Sequence, residues 1–498
     1  MKPDETISTA SPRRMLGMHP ALLFVLVYFA FQAIFVAFIS NGAGLDDAEQ
    51  LANIGYLALG YGGSQPPLYT WISSLASAVL GTSLLTLQIV KFSLLASMFA
   101  SVYGGMRLLG LPRNVAAAGM LGLFLIPQIG WESQRALTHS VAGTTGCAWA
   151  FLAFAWHMRA RSPLSAGLFG LAMAAALLGK FNAGFFLVTL VLAALTIPAY
   201  RAALLSRQTF ISIGVFALCL APTGIWMLHH RNAVLARSGK FEIGATGNFL
   251  LDRLAGVARL IEVSFLFSIL AVAVAVIVFL LYRKKRAPLL SLPKPLPGDS
   301  FIPRLIMIGF VLVFVGVCLT GATNVKDRWL QPVLFLLPAC LAWLLHRYRL
   351  TGPALRDFSI GSVIVACLVP PVLAFNLTYG GGPGDPPIGQ LDYAQLYRQV
   401  REKGNFNVVL ADKPQIAGNF RLYDPSLGVA YPEAPDAVTR IKKPLLVLWF
   451  SGAVPPQNVM DILNAAHIVL PQSQVTATEL PYRTHPDIKR PVHYVIVN

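Results

Sequence analysis

Long apolar runs separated by short polar loops constrain the fold of this sequence more than any other feature. A helix needs about 20 mainly apolar residues to cross the hydrocarbon core of a bilayer. Windows of that length predict about eleven spans, at residues 20–40, 82–106, 114–130, 139–157, 164–179, 181–198, 209–228, 260–282, 304–321, 329–346 and 358–376. Because 55% of the 498 residues are hydrophobic and only 12% are charged, the sequence predicts a polytopic α-helical membrane protein.

Basic residues are concentrated in alternate loops between the apolar runs. Cytoplasmic loops of membrane proteins carry an excess of Lys and Arg, so this alternation predicts a cytoplasmic N-terminus and an extracytoplasmic C-terminus. The residues assigned to the cytoplasmic side are Arg13, Arg14, Arg107, Arg113, Arg159, Arg161, Arg201, Arg207, Arg283, Lys284, Lys285, Arg286, Arg347 and Arg349. The net charge of +17 is therefore interpreted as loop charge, and a nucleic-acid partner is not expected.

The composition changes twice along the chain and predicts three regions. Residues 1–19 form a polar cytoplasmic segment, and the following run lacks a small-residue cleavage site, which favours a retained span. Residues 20–376 form the transmembrane region. Residues 377–498 alternate short β-like and helix-like runs, which predicts a small extracytoplasmic α/β domain. We interpret this domain as a cap on the membrane region, with a role in acceptor binding as the alternative.

Three acidic residues, Asp46, Asp47 and Glu49, follow the first apolar run. Near lipid, a carboxylate loses hydration unless it is paired, neutralised or faces a wet cavity. A solvated loop or the first turn of a helix is the ordinary explanation for such acids. A Gly-rich stretch at residues 60–64, followed by Gln65 and a Pro-Pro corner, limits where the acids can point and favours a functional role.

Three more polar segments are assigned to the same extracytoplasmic side of the membrane. Their candidate site residues are Arg135 and His139, then Lys180 and Asn182, then Lys326 and Arg328. Each cation has an ordinary interpretation as an interfacial anchor whose head group reaches water. Lys180 is the most informative, because it interrupts an apolar stretch and needs an anionic partner, such as a phosphate, or a route to water.

The order of these motifs resembles that of family 39 type glycosyltransferases with the GT-C fold. These membrane enzymes are related to protein O-mannosyltransferases and to transferases that add aminoarabinose or galacturonic acid to lipid A. The resemblance covers most of residues 20–345 and rests on the acidic pair, the Pro-Pro-aromatic corner and a basic-Arg-aromatic-Leu-x-Pro segment at residues 326–332. The pair Asp46-Asp47 departs from the more common Asp-Glu pair of the family.

The resemblance implies an inverting transferase that moves a sugar from a polyprenyl-phosphate donor to a hydroxyl of a glycolipid or glycan, such as lipid A or core oligosaccharide. Asp46 matches the catalytic acid of the family by position and would deprotonate the acceptor, while Asp47 would orient the acceptor or a bound cation. Four cations would offset charge on the departing phosphate: Arg135, Lys180, Lys326 and Arg328. Glu49, Gln65, His139 and Asn182 complete the expected substrate-binding set.

Neither a nucleotide site nor ATP is required by this chemistry. The sequence lacks a Gly-rich nucleotide-binding motif, and the donor is already activated by its lipid phosphate. A divalent cation beside the acids stays open, since no closed set of ligands is present. The five cysteines lie in apolar runs without metal-binding or redox spacing, so we expect them to be packing residues.

Two other functions remain open at this stage. A transporter or flippase for lipid-linked sugars would also place cations around a phosphate. A protein O-mannosyltransferase would use the same chemistry on a Ser or Thr acceptor. Transporters tend to have repeated halves with interrupted helices near the midplane, whereas the charges here cluster at one face, which favours an enzyme.

The predicted topology can be tested with reporter fusions after Arg286 and after Pro387. We expect the two reporters to lie on opposite sides of the membrane, because three predicted spans separate these positions. Paired alkaline phosphatase and fluorescent protein fusions would measure this. Reporters on the same side would mean that the number of spans between them is even.

Overall fold

The computed structural model describes residues 19–61, 65–231, 242–244, 247–285, 298, 300–348, 352–380, 386–434, 436–450 and 452–498. The predicted segment 1–19, apart from its last residue, lies outside this described part, as do residues 62–64 of the Gly-rich stretch, Arg286 and Arg349.

Helices form most of the described chain. In chain order they are α1 Pro20–Ile39, α2 Leu45–Asn53, α3 Leu68–Leu80, α4 Leu84–Leu108, α5 Arg113–Leu121, α6 Thr138–Ala160, α7 Pro163–Gly179, α8 Ala183–Leu195, α9 Pro198–Leu204, α10 Gln208–His229, α11 Phe249–Tyr282, α12 Phe301–Thr320, α13 Asp327–Leu334, α14 Leu337–Arg347, α15 Gly352–Thr378, α16 Tyr393–Lys403, α17 Pro414–Phe420, α18 Ala437–Arg440 and α19 Gln457–Ala465. Short 3-10 helices lie at Gly122–Leu125, Arg283–Lys285, Ile388–Gln390 and Gln472–Gln474. A π-helical turn lies at Gln128–Glu132, and a single α-helical turn at Ser133–Arg135.

Six of the described helices, α1, α4, α10, α11, α12 and α15, are long and apolar enough to cross a membrane. Three bent pairs raise the number to nine if each pair is one span. The polytopic helical architecture is confirmed, whereas the count of eleven is not. Many of the large apolar side chains on these six helices are exposed, as expected of surfaces that face lipid rather than water.

The three bent pairs of helices lie where the sequence predicts the continuous spans 114–130, 181–198 and 329–346. The helices turn by 74° before Gln128, by 117° before Pro198 and by 48° before Leu337. A proline lies at or beside each break, at Pro127, Pro198 and Pro338. Proline lacks a backbone N–H and clashes with the preceding helical turn, so it interrupts a helix that hydropathy alone predicts as continuous.

The chain forms two compact units that do not follow chain order. The helical unit comprises residues up to Phe29, Ser93–Gln134 and His139–Val369, and the sheet unit comprises Ala30–Phe92, Arg135–Thr138 and Pro370–Asn498. In the helical unit, the rings of Phe29 and Phe124 both pack against Phe99, with centroids 5.1 Å and 4.6 Å from it. The sheet unit holds both the acidic cluster and the C-terminal strands.

A five-stranded sheet organises the C-terminal part, in agreement with the β-like runs that the sequence shows there. The strands are β1 Val408–Ala411, β2 Gly428–Ala430, β3 Leu445–Trp449, β4 Thr476–Tyr482 and β5 His485–Val497, in the order β2-β1-β3-β5-β4. The first three strands are parallel, and β5 is antiparallel to both β3 and β4. Strands β1 and β3 are buried throughout, which explains their continuous apolar sequences.

The acid-bearing helix α2 packs closely on α17 of the C-terminal domain. A Cβ atom added at Gly418 would lie 2.1 Å from the backbone oxygen of Ala48, so only glycine fits this contact. The amide of Asn419 accepts from the Ala43 N–H at 2.7 Å and donates to the Ala43 carbonyl at 2.9 Å. These contacts fix the chain just before α2 begins.

The C-terminal end of α2 is held by the same domain. The guanidinium of Arg421 donates hydrogen bonds to the carbonyls of Leu51, at 3.3 Å, and Ile54. The last carbonyls of a helix have no partner within the helix and carry partial negative charge, so a buried cation there satisfies both needs. The domain therefore supports α2 at both ends.

We expect Gly418→Val to destabilise the packing of α2 on α17, because the added side chain meets a backbone atom that cannot move aside. Overpacking of this kind costs about 1–3 kcal/mol, so the midpoint of thermal unfolding in detergent should fall. Gly316→Ala is the matched control, since open space surrounds Gly316 on helix α12. An unchanged midpoint for Gly418→Val would contradict the close packing.

Candidate functional site

Helix α2 presents two acids in its first turn. The helix begins after Gly44, whose backbone is extended with φ −97° and ψ 163°, and Asp46 and Asp47 follow immediately. Carboxylates in this position interact favourably with the unpaired N–H groups at the start of the helix. The structure therefore places the acids in a helix rather than in a loop.

Asp47 forms a buried ion pair. Its Oδ2 atom accepts from the Lys91 ammonium at 2.7 Å and from the Gln88 amide at 2.9 Å. The side chains of Lys91 and Asp47 are only 1% and 11% exposed, so solvent screens their attraction very little. The second oxygen, Oδ1, is buried and has no hydrogen-bond partner among the described residues.

Sequence reasoning missed Lys91, although a signal was available. Lys91 is a single cation inside the predicted span 82–106, and a buried cation in such a place needs an anionic partner. The same argument singled out Lys180. Neither residue type nor spacing alone identifies Asp47 as the partner, because the ion pair joins residues 44 positions apart.

Asp46 has a different environment from Asp47. Its side chain is half-buried, and its Oδ2 atom accepts a long hydrogen bond of 3.3 Å from the Thr138 N–H. In the described part of the chain, no ion pair neutralises this carboxylate within 4.0 Å. Asp46 is thus the acid less committed to internal contacts.

Glu49 and Gln65 contact each other. The Gln65 amide donates to Oε2 of Glu49 at 3.4 Å, so the corner that follows α2 returns to the acidic cluster. Close by, Asn53 donates to the hydroxyl of Tyr431 at 2.8 Å. Burial raises the pKa of Tyr431, and the Glu49 carboxylate adds to this effect, so Tyr431 stays protonated.

A cavity of about 440 Å³ lies beside α2 within the sheet unit. Its polar lining residues are Ser40, Asp47, Gln88, Arg135, Asn376 and Gln390. The rest of the lining includes apolar side chains such as Val36, Leu84 and Leu377. A cavity of this kind, apolar with a few polar groups, is typical of small-molecule sites. It brings together two of the sequence-predicted residues, Asp47 and Arg135, with the unpredicted Gln88.

The helical unit brings together two other predicted segments. The Lys180 ammonium donates to the Ser140 hydroxyl at 2.5 Å, and the Asn182 amide donates to the Trp329 carbonyl at 3.3 Å. The second contact joins the Lys180 hairpin to the segment that carries Lys326 and Arg328. At the start of α13, the Gln128 amide donates to Asp327 at 2.8 Å.

The predicted site residues are divided between the two units. The sheet unit contains Asp46, Asp47, Glu49, Gln65 and Arg135, and the helical unit contains His139, Lys180, Asn182, Lys326 and Arg328. His139 is buried in the first turn of α6. In the described ranges, no three His, Cys, Asp or Glu side chains form a group that could hold a metal ion.

The buried pair can be tested by a double-mutant cycle. We expect Lys91→Met to lower stability by about 3–5 kcal/mol, because it leaves the Asp47 carboxylate buried without a counter-charge. The double variant Asp47→Asn/Lys91→Met should recover much of this loss, since both charges are removed. Thermal unfolding of each purified protein measures the effect. A loss in the double variant equal to the sum of the losses in Lys91→Met and in Asp47→Asn would show that the pair contributes nothing.

No protein-family model matches the sequence. Two curated relatives match over nearly the whole chain. The lipopolysaccharide core galacturonosyltransferase RgtB of Rhizobium johnstonii is 29% identical over 486 residues, covering 95% of this chain and 96% of the relative. The lipopolysaccharide core galacturonosyltransferase RgtA of the same organism is 27% identical over 480 residues, covering 92% and 93%.

A solved structure shares the fold. The crystal structure of ArnT from Cupriavidus metallidurans bound to undecaprenyl phosphate superposes with a TM-score of 0.59 and 11% identity, covering 95% of this chain and 97% of ArnT. The relatives and the shared fold confirm the resemblance that the sequence indicated, to membrane glycosyltransferases of the GT-C fold, and with it the expected enzyme class.

Proposed function

We propose that this protein is an inverting membrane glycosyltransferase that moves a sugar from a polyprenyl-phosphate donor to a hydroxyl of lipopolysaccharide. Both curated relatives are named for transfer to the lipopolysaccharide core, and ArnT was crystallised with undecaprenyl phosphate. Because both relatives are galacturonosyltransferases, galacturonic acid is the first donor sugar to test. Lipid A, core oligosaccharide and a protein hydroxyl are the acceptors to compare.

The cavity beside α2 is the observation that carries this proposal. It places a carboxylate, an amide and a guanidinium on the wall of one largely apolar space. Transfer from a lipid phosphate needs a group that orients the reacting hydroxyl and a cation that faces the departing phosphate. Asp47 and Arg135 supply these two kinds of group, and both residues line the cavity of about 440 Å³.

Asp46 is the proposed general base. Its carboxylate is half-buried and lacks an ion pair among the described side chains, so it can accept a proton from an attacking hydroxyl. Asp47 is less suited to that role, because its Oδ2 atom is already bound by the Lys91 ammonium and the Gln88 amide. We assign Asp47 to orientation instead, through the buried Oδ1 atom that has no internal partner in the described chain.

Cations of the helical unit are proposed to offset the charge on the departing phosphate. Lys180 lies in the hairpin that Asn182 joins to the Lys326–Arg328 segment, so three positive charges are carried by neighbouring elements. A preorganised cation stabilises negative charge that develops in the transition state without reorganising at the moment of reaction. His139, Glu49 and Gln65 are proposed to contact the sugar or the acceptor.

We place this enzyme in the bacterial inner membrane, with its N-terminus in the cytoplasm and its C-terminal domain outside. The alternation of basic loops supports this orientation. We propose that α6 and α7, at predicted spans 139–157 and 164–179, cross the membrane in addition to the six long helices and the three bent pairs, which would make eleven crossings. An odd number of crossings leaves the two termini on opposite sides.

The proposed base can be tested with Asp46→Asn. We expect the rate of sugar transfer to fall by about 10²–10⁴, because a base in general acid–base catalysis contributes on that scale, while thermal unfolding stays unchanged. The assay follows radiolabelled sugar from polyprenyl phosphate into purified lipopolysaccharide, with protein in detergent so that vectorial transport makes no contribution. Glu402→Gln, in the C-terminal domain, serves as the control for loss of one acid.

Near wild-type turnover by Asp46→Asn would remove Asp46 from the mechanism. Wild-type protein that transfers no sugar, yet moves lipid-linked sugar across liposomes, would favour a transporter. Transfer to a Ser- or Thr-containing peptide instead of lipopolysaccharide would favour a protein O-mannosyltransferase.

A further inference from the structure

The parallel strands of the C-terminal sheet contain a topological switch point. The chain passes from β1 through α17 to β2 on one side of β1, and β3 then pairs with the other side of β1. Connections that leave a strand in opposite directions open a crevice at the carboxyl ends of the strands, and ligands of open α/β sheets bind there. Here the crevice lies where β1 ends at Ala411 and β3 ends at Trp449.

A cavity of about 200 Å³ occupies this position. Its lining comprises Ile388, Lys413, Gln415, Phe450 and Arg490. Lys413 follows β1 by two residues, and Phe450 follows β3 directly. Arg490 reaches the same place because β5 runs antiparallel to β3 and pairs His493 with Trp449, so the residues before His493 extend beyond the end of β3.

Two buried oxygen atoms at this edge have no hydrogen-bond partner among the described residues. They are Oδ1 of Asp412, a residue that is 7% exposed and precedes the lining residue Lys413, and Oε1 of Gln415, a residue of the cavity lining. The other Asp412 oxygen accepts from the Phe450 N–H at 3.4 Å. Buried polar atoms are nearly always hydrogen-bonded, so an unsatisfied pair beside a cavity suggests a ligand that donates hydrogen bonds.

The charge around the cavity is positive. Burial raises the pKa of Asp412, and the nearby Lys413 and Arg490 oppose that rise, so both cations act on this carboxylate. The charges of Lys413, Arg490 and the Asp412 carboxylate sum to +1. Arg490 is held in place, because its guanidinium lies 4.5 Å from the centre of the Phe450 ring and donates to the Tyr482 hydroxyl at 3.3 Å.

We propose that this cavity is a binding subsite for an acidic saccharide. Lys413 and Arg490 would bind its carboxylate or phosphate, and Asp412 Oδ1 and Gln415 Oε1 would accept hydrogen bonds from its hydroxyls. Carboxylates and phosphates are the partners that a fixed guanidinium recognises best. The assignment of this saccharide to the acceptor rests on the proposed function, whereas the binding of an acidic saccharide in the cavity does not.

Equilibrium binding by ligand-observed NMR tests the subsite on the full chain in detergent. The probes are galacturonate, galactose 6-phosphate and neutral galactose, which share a ring and differ in charge. We expect both acidic sugars to bind, and galactose to bind about tenfold more weakly or worse, on the scale of one hydrogen bond to a charged group. The stronger acidic probe identifies whether a carboxylate or a phosphate is preferred.

Variants locate the binding. Lys413→Gln, at an exposed residue, and Arg490→Gln should each weaken binding of the acidic sugars about tenfold, with thermal unfolding recorded for both. Lys489→Gln is the matched control, because Lys489 is the neighbour of Arg490, is well exposed and does not line the cavity. Arg135→Gln should also leave this binding unchanged, which separates it from binding at the cavity beside α2.

Kinetics of the proposed transfer separate the two claims. Lys413→Gln should raise KM for the acceptor and leave kcat unchanged, since the residue lies in a binding subsite. Absent binding of acidic sugars by wild-type protein, or equal binding by Lys413→Gln and Lys489→Gln, would overturn the subsite even if wild-type transfer is normal. A wild-type protein that binds acidic sugars but transfers none would refute the proposed function alone.

Discussion

The attraction between Asp47 and Lys91 is the interaction on which the acidic site depends. A carboxylate placed beside apolar helices is stable only when a counter-charge or water compensates for its lost hydration. Lys91 supplies that counter-charge at 2.7 Å, and Gln88 satisfies the same oxygen. Because these contacts fix Oδ2 of Asp47, the Oδ1 atom of the same carboxylate is also held in a defined direction. Asp46, one residue earlier, is not ion-paired in the described chain and is the residue that we propose as the base.

A second constraint comes from the C-terminal domain, which holds the helix that carries both acids. Asn419 binds the backbone before the helix, Gly418 allows close contact along it, and Arg421 satisfies carbonyls at its end. A nine-residue helix is marginal by itself in water. Its position therefore depends on these contacts, so the C-terminal domain supports the helix that carries the acids.

Much of the architecture follows from the sequence, because hydropathy and periodicity report local structure. The six long spans, the buried strands β1 and β3, and helices α16 and α19 were all predictable in this way. Strand β2 was not, since three residues that include Gly428 carry no periodic signal. The first half of β5 was missed because its side chains are exposed and polar. The breaks in the bent helices depend on single prolines, which a window of hydropathy averages away.

The sequence indicated which residue types are of interest for the site, but it did not indicate which residues contact each other. Residue types drew attention to Asp46, Asp47 and Lys180, because charges near lipid need a reason. Their partners could not be read from the sequence, since long-range contacts join positions with no local pattern. Lys91 was overlooked although a single cation in an apolar run indicates a buried partner, and Arg421 and Asn419 gave no sign that they support helix α2.

The contact between Ala43 and Asn419 has a consequence for the order of events in synthesis. These residues are 376 positions apart, so the N-terminal partner waits for most of the chain to be made before it can pair. Contacts of such high sequence separation form late in folding. The acidic helix therefore gains this support only after residue 419 has emerged from the ribosome, and a chain that ends before that residue lacks it.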